Sequence, residues 1–180
     1  VAVAGNLAFV GLGTGEVVCV DMLTGTILQR VRLGGPVWDV AIGGDTLLAL
    51  TDGTLFTLAL DGGDMTPLGS VASPFPAAPN RRLFATATLA YAVHGKGYNT
   101  FDITNPAAPR LLAAGNTTQF GWKQIVLNGS GVGLAASSPV LAFENPATHN
   151  VSLYDTRDPL QTDKFLTTFV TPGFAQAVSI

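Results

Sequence analysis

Apolar residues in this chain come in short runs, each closed by glycine, proline, asparagine or aspartate. Runs of that length, rich in Val, Leu, Thr and Phe, predict β-strands. Strands are expected near 1–4, 7–12, 17–21 and 26–32, then 37–42, 46–51, 54–60 and 65–71. The second half continues the rhythm with 82–86, 89–93, 98–102 and 110–114, then 123–127, 132–136, 151–155 and 164–170. Four strands make one repeat, so the repeats cover 1–33, 34–71, 72–114 and 115–170, and 171–180 opens another. The third strand of each repeat ends in, or is followed directly by, an aspartate. These are Asp21, Asp61, Asp102 and Asp155, spaced by 40, 41 and 53 positions. The widest interval reflects a long segment, 137–149, between strands two and three of its repeat.

A sheet with one wet face alternates apolar and polar residues. Here the residue before each aspartate is apolar (Val20, Leu60, Phe101, Tyr154), and the one before that is Cys19, Ala59, Thr100 or Leu153. Both faces are therefore covered. A four-strand unit of about 40 residues with two covered faces predicts an all-β fold, a β-propeller of about four four-stranded blades plus one strand. A β-sandwich is the alternative that also hides both faces. Propellers close into rings of about four to eight blades, so the chain is expected to form part of a larger one. Val1 in place of an initiating methionine points the same way.

Composition narrows the function. Only 12% of residues are charged, and the formal charge of −3 offers no basic field for nucleic acid. No apolar run reaches the roughly 18 residues of a membrane span. The single cysteine, Cys19, allows no internal disulfide. It lies in a strand without neighbouring cations and is expected to be buried and unreactive.

The segment Phe101-Asp-Ile-Thr-Asn-Pro-Ala-Ala-Pro109, followed by Arg110-Leu-Leu112, resembles the LVIVD-type propeller repeat. Tyr154-Asp-Thr-Arg-Asp-Pro159 is similar to it. Val20-Asp-Met-Leu-Thr-Gly25 resembles the repeats of YVTN-like and quinoprotein-like propellers. The resemblance implies a secreted or cell-surface protein. Gln29 stands where quinoprotein repeats carry tryptophan, so no quinone cofactor is implied.

Propeller topology groups the loops between strands two and three with the connectors between blades. These are 13–16, 52–53, 94–97 and 137–149, with 34–36, 72–81, 115–123 and 171–173. The candidate ligand-binding face therefore carries Asp52, Arg81, His94, Lys96, Trp122, Lys123, Glu144 and His149, with Asn145, Phe75 and Phe120 beside them. Trp38 is expected in the core, and Asp39 next to it needs a polar partner.

Metal ligation by His94, His149, Asp52 and Glu144 would need three or four of them to converge, and no close spacing ties them together. Asp61 with Asp64, and Asp155 with Asp158, read as turns and not as calcium loops. No nucleophile elbow or phosphate loop occurs. No catalytic residue, metal or cofactor is assigned. Asn116, Asn128 and Asn150 begin glycosylation sequons. The expected function is a non-catalytic interaction or assembly module. Its partners would be further blades, another protein, a glycan or a peptide. The alternative is a hydrolase or oxidoreductase with part of its active face in this chain.

Overall fold

The structure, a computed structural model, describes residues 1–74, 81–117, 121–137, 149–173, 175 and 178. Among these residues sixteen strands form four four-stranded sheets, and there is no helix. The first sheet holds β1 (Ala2–Ala4), β2 (Leu7–Gly11), β3 (Glu16–Asp21) and β4 (Ile27–Arg32). The second holds β5 (Asp39–Gly43), β6 (Thr46–Leu50), β7 (Thr54–Asp61) and β8 (Asp64–Ala72). β9 (Arg82–Ala85), β10 (Leu89–His94), β11 (Gly97–Asp102) and β12 (Arg110–Ala114) form the third. The fourth is β13 (Trp122–Leu127), β14 (Val132–Ser137), β15 (Asn150–Asp155) and β16 (Phe165–Val170).

Each sheet is a meander in sequence order. A β-sandwich would gather the strands into two sheets, so that alternative is set aside. All sixteen expected strands form, with ends displaced by at most two residues. The largest shift is at 37–42, where Val37 and Trp38 precede the strand. The expected strand within 171–180 lies mostly outside the described residues.

The chain divides into two compact units. One is Val1–Pro74 with Leu83–Tyr91 and Phe101–Leu111; the other is Phe75–Arg82, Ala92–Thr100 and Leu112–Ile180. In the first unit, Phe9, Val17 and Cys19 of the first sheet bury against Val40, Leu47, Ala49, Leu58 and Met65 of the second. Leu48 and Leu50, on the other face of β6, are equally buried. Every residue of β6 is thus inside, as two covered faces require. Each buried leucine of β6 contributes about 1.5–3 kcal/mol of transfer free energy. The outer strands also meet, because the Gln29 side-chain amide of β4 donates to the Met65 carbonyl (3.3 Å) and accepts from the Met65 N–H.

In the second unit the centre is aromatic. Trp122 is fully buried, with ring centroids 5.8 Å from Tyr98 and 4.8 Å from Tyr154. Phe165 meets Tyr154 edge-on at 5.9 Å. Tilted and edge-on aromatic pairs add about 0.5–1.5 kcal/mol beyond their buried area.

Candidate functional site

The repeated aspartates are turn builders. Asp21 accepts from the Leu23 N–H (2.8 Å), Asp102 from Thr104 (2.9 Å) and Asp155 from Arg157 (3.1 Å). Each carboxylate thereby caps the chain two residues on, directly after the third strand of its sheet. Gly25 closes the first of these turns at φ 71°, which a residue with a Cβ rarely adopts. Asp61 differs. It pairs with Asp64 across the hairpin between β7 and β8.

Two of the four also hold arginine. Arg110 reaches Asp102 at 2.6 Å, and Arg157 grips Asp155 with two bonds of 2.9 and 2.6 Å. The Thr104 N–H and then Arg110 pull the Asp102 carboxyl down to about 2. Arg157 holds Asp155 still lower.

The proline that follows in both motifs serves packing. In the first unit the buried Thr57 hydroxyl donates to the Pro106 carbonyl at 2.5 Å. In the second, the buried Thr100 hydroxyl donates to the Pro159 carbonyl at 2.5 Å. The Asp-x-x-x-Pro turn of one sheet is therefore pinned by a threonine on the third strand of the sheet before it. Gly69 leaves the room this needs, since a Cβ there would lie 2.7 Å from the Ala107 carbonyl oxygen. An open recess of about 390 Å³ lies at the first of these turns, lined by Asp102, Thr104, Asn105, Ala108 and Arg110. The ion pair it contains already serves the turn.

The loops and connectors that topology groups together are tied to one another in each sheet. Backbone bonds of 2.8 Å run from Leu33 N–H to Gly15, Ser73 to Gly53, Thr117 to Lys96 and Thr171 to His149. Within that frame the candidates separate. His94 and Trp122 are fully buried and His149 nearly so.

His94 Nε2 meets Asn99 Oδ1 at 3.2 Å, and its Nδ1 accepts from the Lys96 N–H at 3.3 Å. Those partners fit the neutral imidazole with its proton on Nε2. Burial lowers the His94 pKa, against a smaller upward push from Asn99. Asn99 also receives the Gly115 N–H (3.2 Å). Thr117 donates to the Lys96 carbonyl and accepts the Trp122 indole N–H, both at 3.0 Å. Burial pushes the Tyr154 phenol up to about 12. These groups form a structural network.

Lys96, Lys123 and Arg81 are half-buried, and burial lowers the Lys123 pKa. Glu144, Asn145, Phe75 and Phe120 lie outside the described residues. Among the described residues no three His, Cys, Asp or Glu side chains come close enough to share a metal ion. Cys19 is fully buried, and burial, then Asp64 and Asp21, raise its pKa.

Trp38 was expected in the core and is not there. It is 47% exposed, and its indole N–H donates to Asp52 at 2.7 Å. Asp39 finds its polar partner in the Leu83 N–H at 3.1 Å. The signal for Trp38 was Gly34-Gly35-Pro36. Proline and paired glycines extend the connector, so β5 begins only at Asp39. An exposed tryptophan held by a carboxylate at the loop end of the second sheet is the outstanding surface feature of the first unit. Of the three sequons, Asn128 is exposed in the β13–β14 turn. Asn150 sits in central strand β15, and its Ser152 is fully buried.

No family model matches the sequence, and no curated protein matches it. Solved structures do match the fold. The computationally designed Ika4 protein is 15% identical with a TM-score of 0.62, over 86% of this chain and 88% of that one. The Cps50 (Swd1) β-propeller domain of Myceliophteria thermophila is 16% identical with a TM-score of 0.62, over 94% of this chain and 53% of that one. The RRP9 WD40 repeats are 11% identical with a TM-score of 0.63, over 88% of this chain and 46% of that one. The chain thus spans about half the length of these two propeller chains. At such low identity the likeness speaks for architecture alone. Four four-stranded meanders, matched by propeller domains, make the fold of this chain a β-propeller.

Proposed function

We propose that the chain is a non-catalytic interaction and assembly module that recognises an exposed peptide or glycan through Trp38 and Asp52. The observation that carries this reading is the half-exposed indole fixed by a 2.7 Å bond to a carboxylate. A large aromatic side chain held in one orientation loses little entropy on binding, which is the usual property of an interface anchor. Its flat face suits a sugar ring or the side chain of an extended peptide. Secretion or display at a cell surface accompanies this reading, on the repeat resemblance alone.

The chain has two tryptophans, and Trp122 is buried. Red-shifted emission therefore reports on Trp38. Titration against a panel of oligosaccharides and extended peptides should give a blue shift with the true ligand class. Trp38→Ala should abolish binding, and Asp52→Asn should weaken it about tenfold or more. Neither should change stability by more than about 0.5 kcal/mol. Undiminished binding by folded Trp38→Ala would refute the site.

A further inference from the structure

Only one asparagine of the chain, Asn128, is followed by glycine. Asparagine is chemically labile, because the backbone nitrogen after it can attack its side-chain carbonyl. The structure sets this pair at the tip of the hairpin between β13 and β14, where Asn128, Gly129 and Ser130 are all exposed. Gly129 lies at φ 76° and has no Cβ to crowd its nitrogen. No backbone acceptor among the described residues holds the Gly129 N–H.

The carbonyl under attack is held in place. Asn128 Oδ1 accepts from the Ser130 N–H (2.9 Å) and the Val132 N–H (3.1 Å). The Asn128 N–H donates to the Val132 carbonyl (3.0 Å), which anchors the main chain beside it. Two N–H donors on Oδ1 withdraw electrons from Cγ and stabilise negative charge that forms on the oxygen. The other described asparagines lack this combination. Asn105 is followed by Pro106, which has no N–H. The nitrogen after Asn116 already donates to the Lys96 carbonyl (2.8 Å). Asn99 is fully buried. Asn6 and Asn150 precede Leu7 and Val151, strand residues whose side chains crowd the nitrogen.

We propose that Asn128–Gly129 is a site of intramolecular deamidation in the folded protein. The Gly129 nitrogen loses its proton to water and bonds to Asn128 Cγ. The Cγ–Nδ2 bond breaks, and Nδ2 leaves as ammonia. Water then opens the cyclic succinimide at either carbonyl. One opening restores an ordinary main chain with aspartate at this position. The other gives isoaspartate, whose main chain runs through the side-chain methylene. Either product adds one negative charge to the formal −3. The aspartate keeps the cap, because a carboxylate there accepts the Ser130 N–H as Asp21 accepts that of Leu23. The isoaspartate makes Oδ1 a main-chain carbonyl oxygen and lengthens the turn by one methylene.

Peptide mapping of the 180-residue chain, kept at mildly alkaline pH either folded or in urea, tests the proposal. In the folded chain Asn128 should gain the mass of an amide-to-acid change ahead of every other asparagine, with aspartate and isoaspartate both present. Its conversion should be at least as fast folded as in urea. Asn128→Gln should lose the early acidic species seen on isoelectric focusing. Slower conversion in the folded chain, or none in either state, overturns the proposal. So does aspartate without isoaspartate, which would mean direct hydrolysis, an earlier loss at Asn6 or Asn116, or an acidic species that persists in Asn128→Gln.

Discussion

The cores of the two units are built from different materials. In the first unit Val17, Leu47, Leu58 and Met65 pack with Phe9 and Cys19 in a cluster whose members are mainly aliphatic. In the second, Trp122 lies between two tyrosines with its N–H held by Thr117, while His94 and Asn99 are bonded to each other and to backbone. Aliphatic burial is non-directional and is satisfied by many side chains of suitable volume. Buried polar groups demand particular partners, and losing one partner penalises the other. The first unit should therefore be forgiving, and the second exacting.

The sharpest way to break this contrast is Trp122→Ala. It should cost about 3–5 kcal/mol in a urea titration, at the upper end of core deletions. Leu47→Ala should cost about 2–5 kcal/mol, whereas Leu47→Met should cost less than about 1.5 kcal/mol. A Leu47→Met loss as large as the alanine loss would show that the aliphatic core is not forgiving.

Thr117→Val keeps the shape and deletes one hydroxyl. It should still cost about 1–3 kcal/mol, because the Trp122 N–H is left buried without its acceptor. The same change at Thr57 or Thr100 should cost about 1 kcal/mol each, since the carbonyls they meet lie in turns near solvent. A final distinction is in pH. The His94 pKa is lowered by burial from its ordinary 6.5. The unfolded chain therefore takes up the proton first. Stability contributed by neutral His94 is complete above about pH 6.5 and declines as pH falls towards the folded value. His94→Gln should flatten the stability profile in that window, measured by urea titrations at several pH values. An unchanged slope would remove His94 from the account.

Architecture was readable from residues because it depends on short-range rules. Turn dipeptides and strand-ending aspartates located all sixteen strands, and the aspartates do cap the turns that follow Asp21, Asp102 and Asp155. Side-chain placement was less readable. Loop topology put His94 and Trp122 at the correct end of their sheets but could not tell inward from outward. His94 is the last residue of its strand and points into the Asn99 network; Trp122 is the first of its strand and points between two tyrosines. Trp38 departs in the opposite direction, because an aromatic residue within the predicted strand 37–42 reads as core packing. Such choices depend on contacts between residues far apart in sequence, as in the Leu83 N–H that answers Asp39.

The threonine-to-proline bonds have a consequence for how the molecule is made. The second and third sheets already display, on β7 and β11, the hydroxyls that receive the next sheet's outer turn. The third and fourth meanders can consequently each settle onto the one before as a finished tile, with little rearrangement of what is already in place. An insertion lengthening the stretch between Asp102 and Pro106 would shift the carbonyl off Thr57 and disturb two successive tiles, whereas extra residues at the tip of the Asn128–Ser130 hairpin would disturb none.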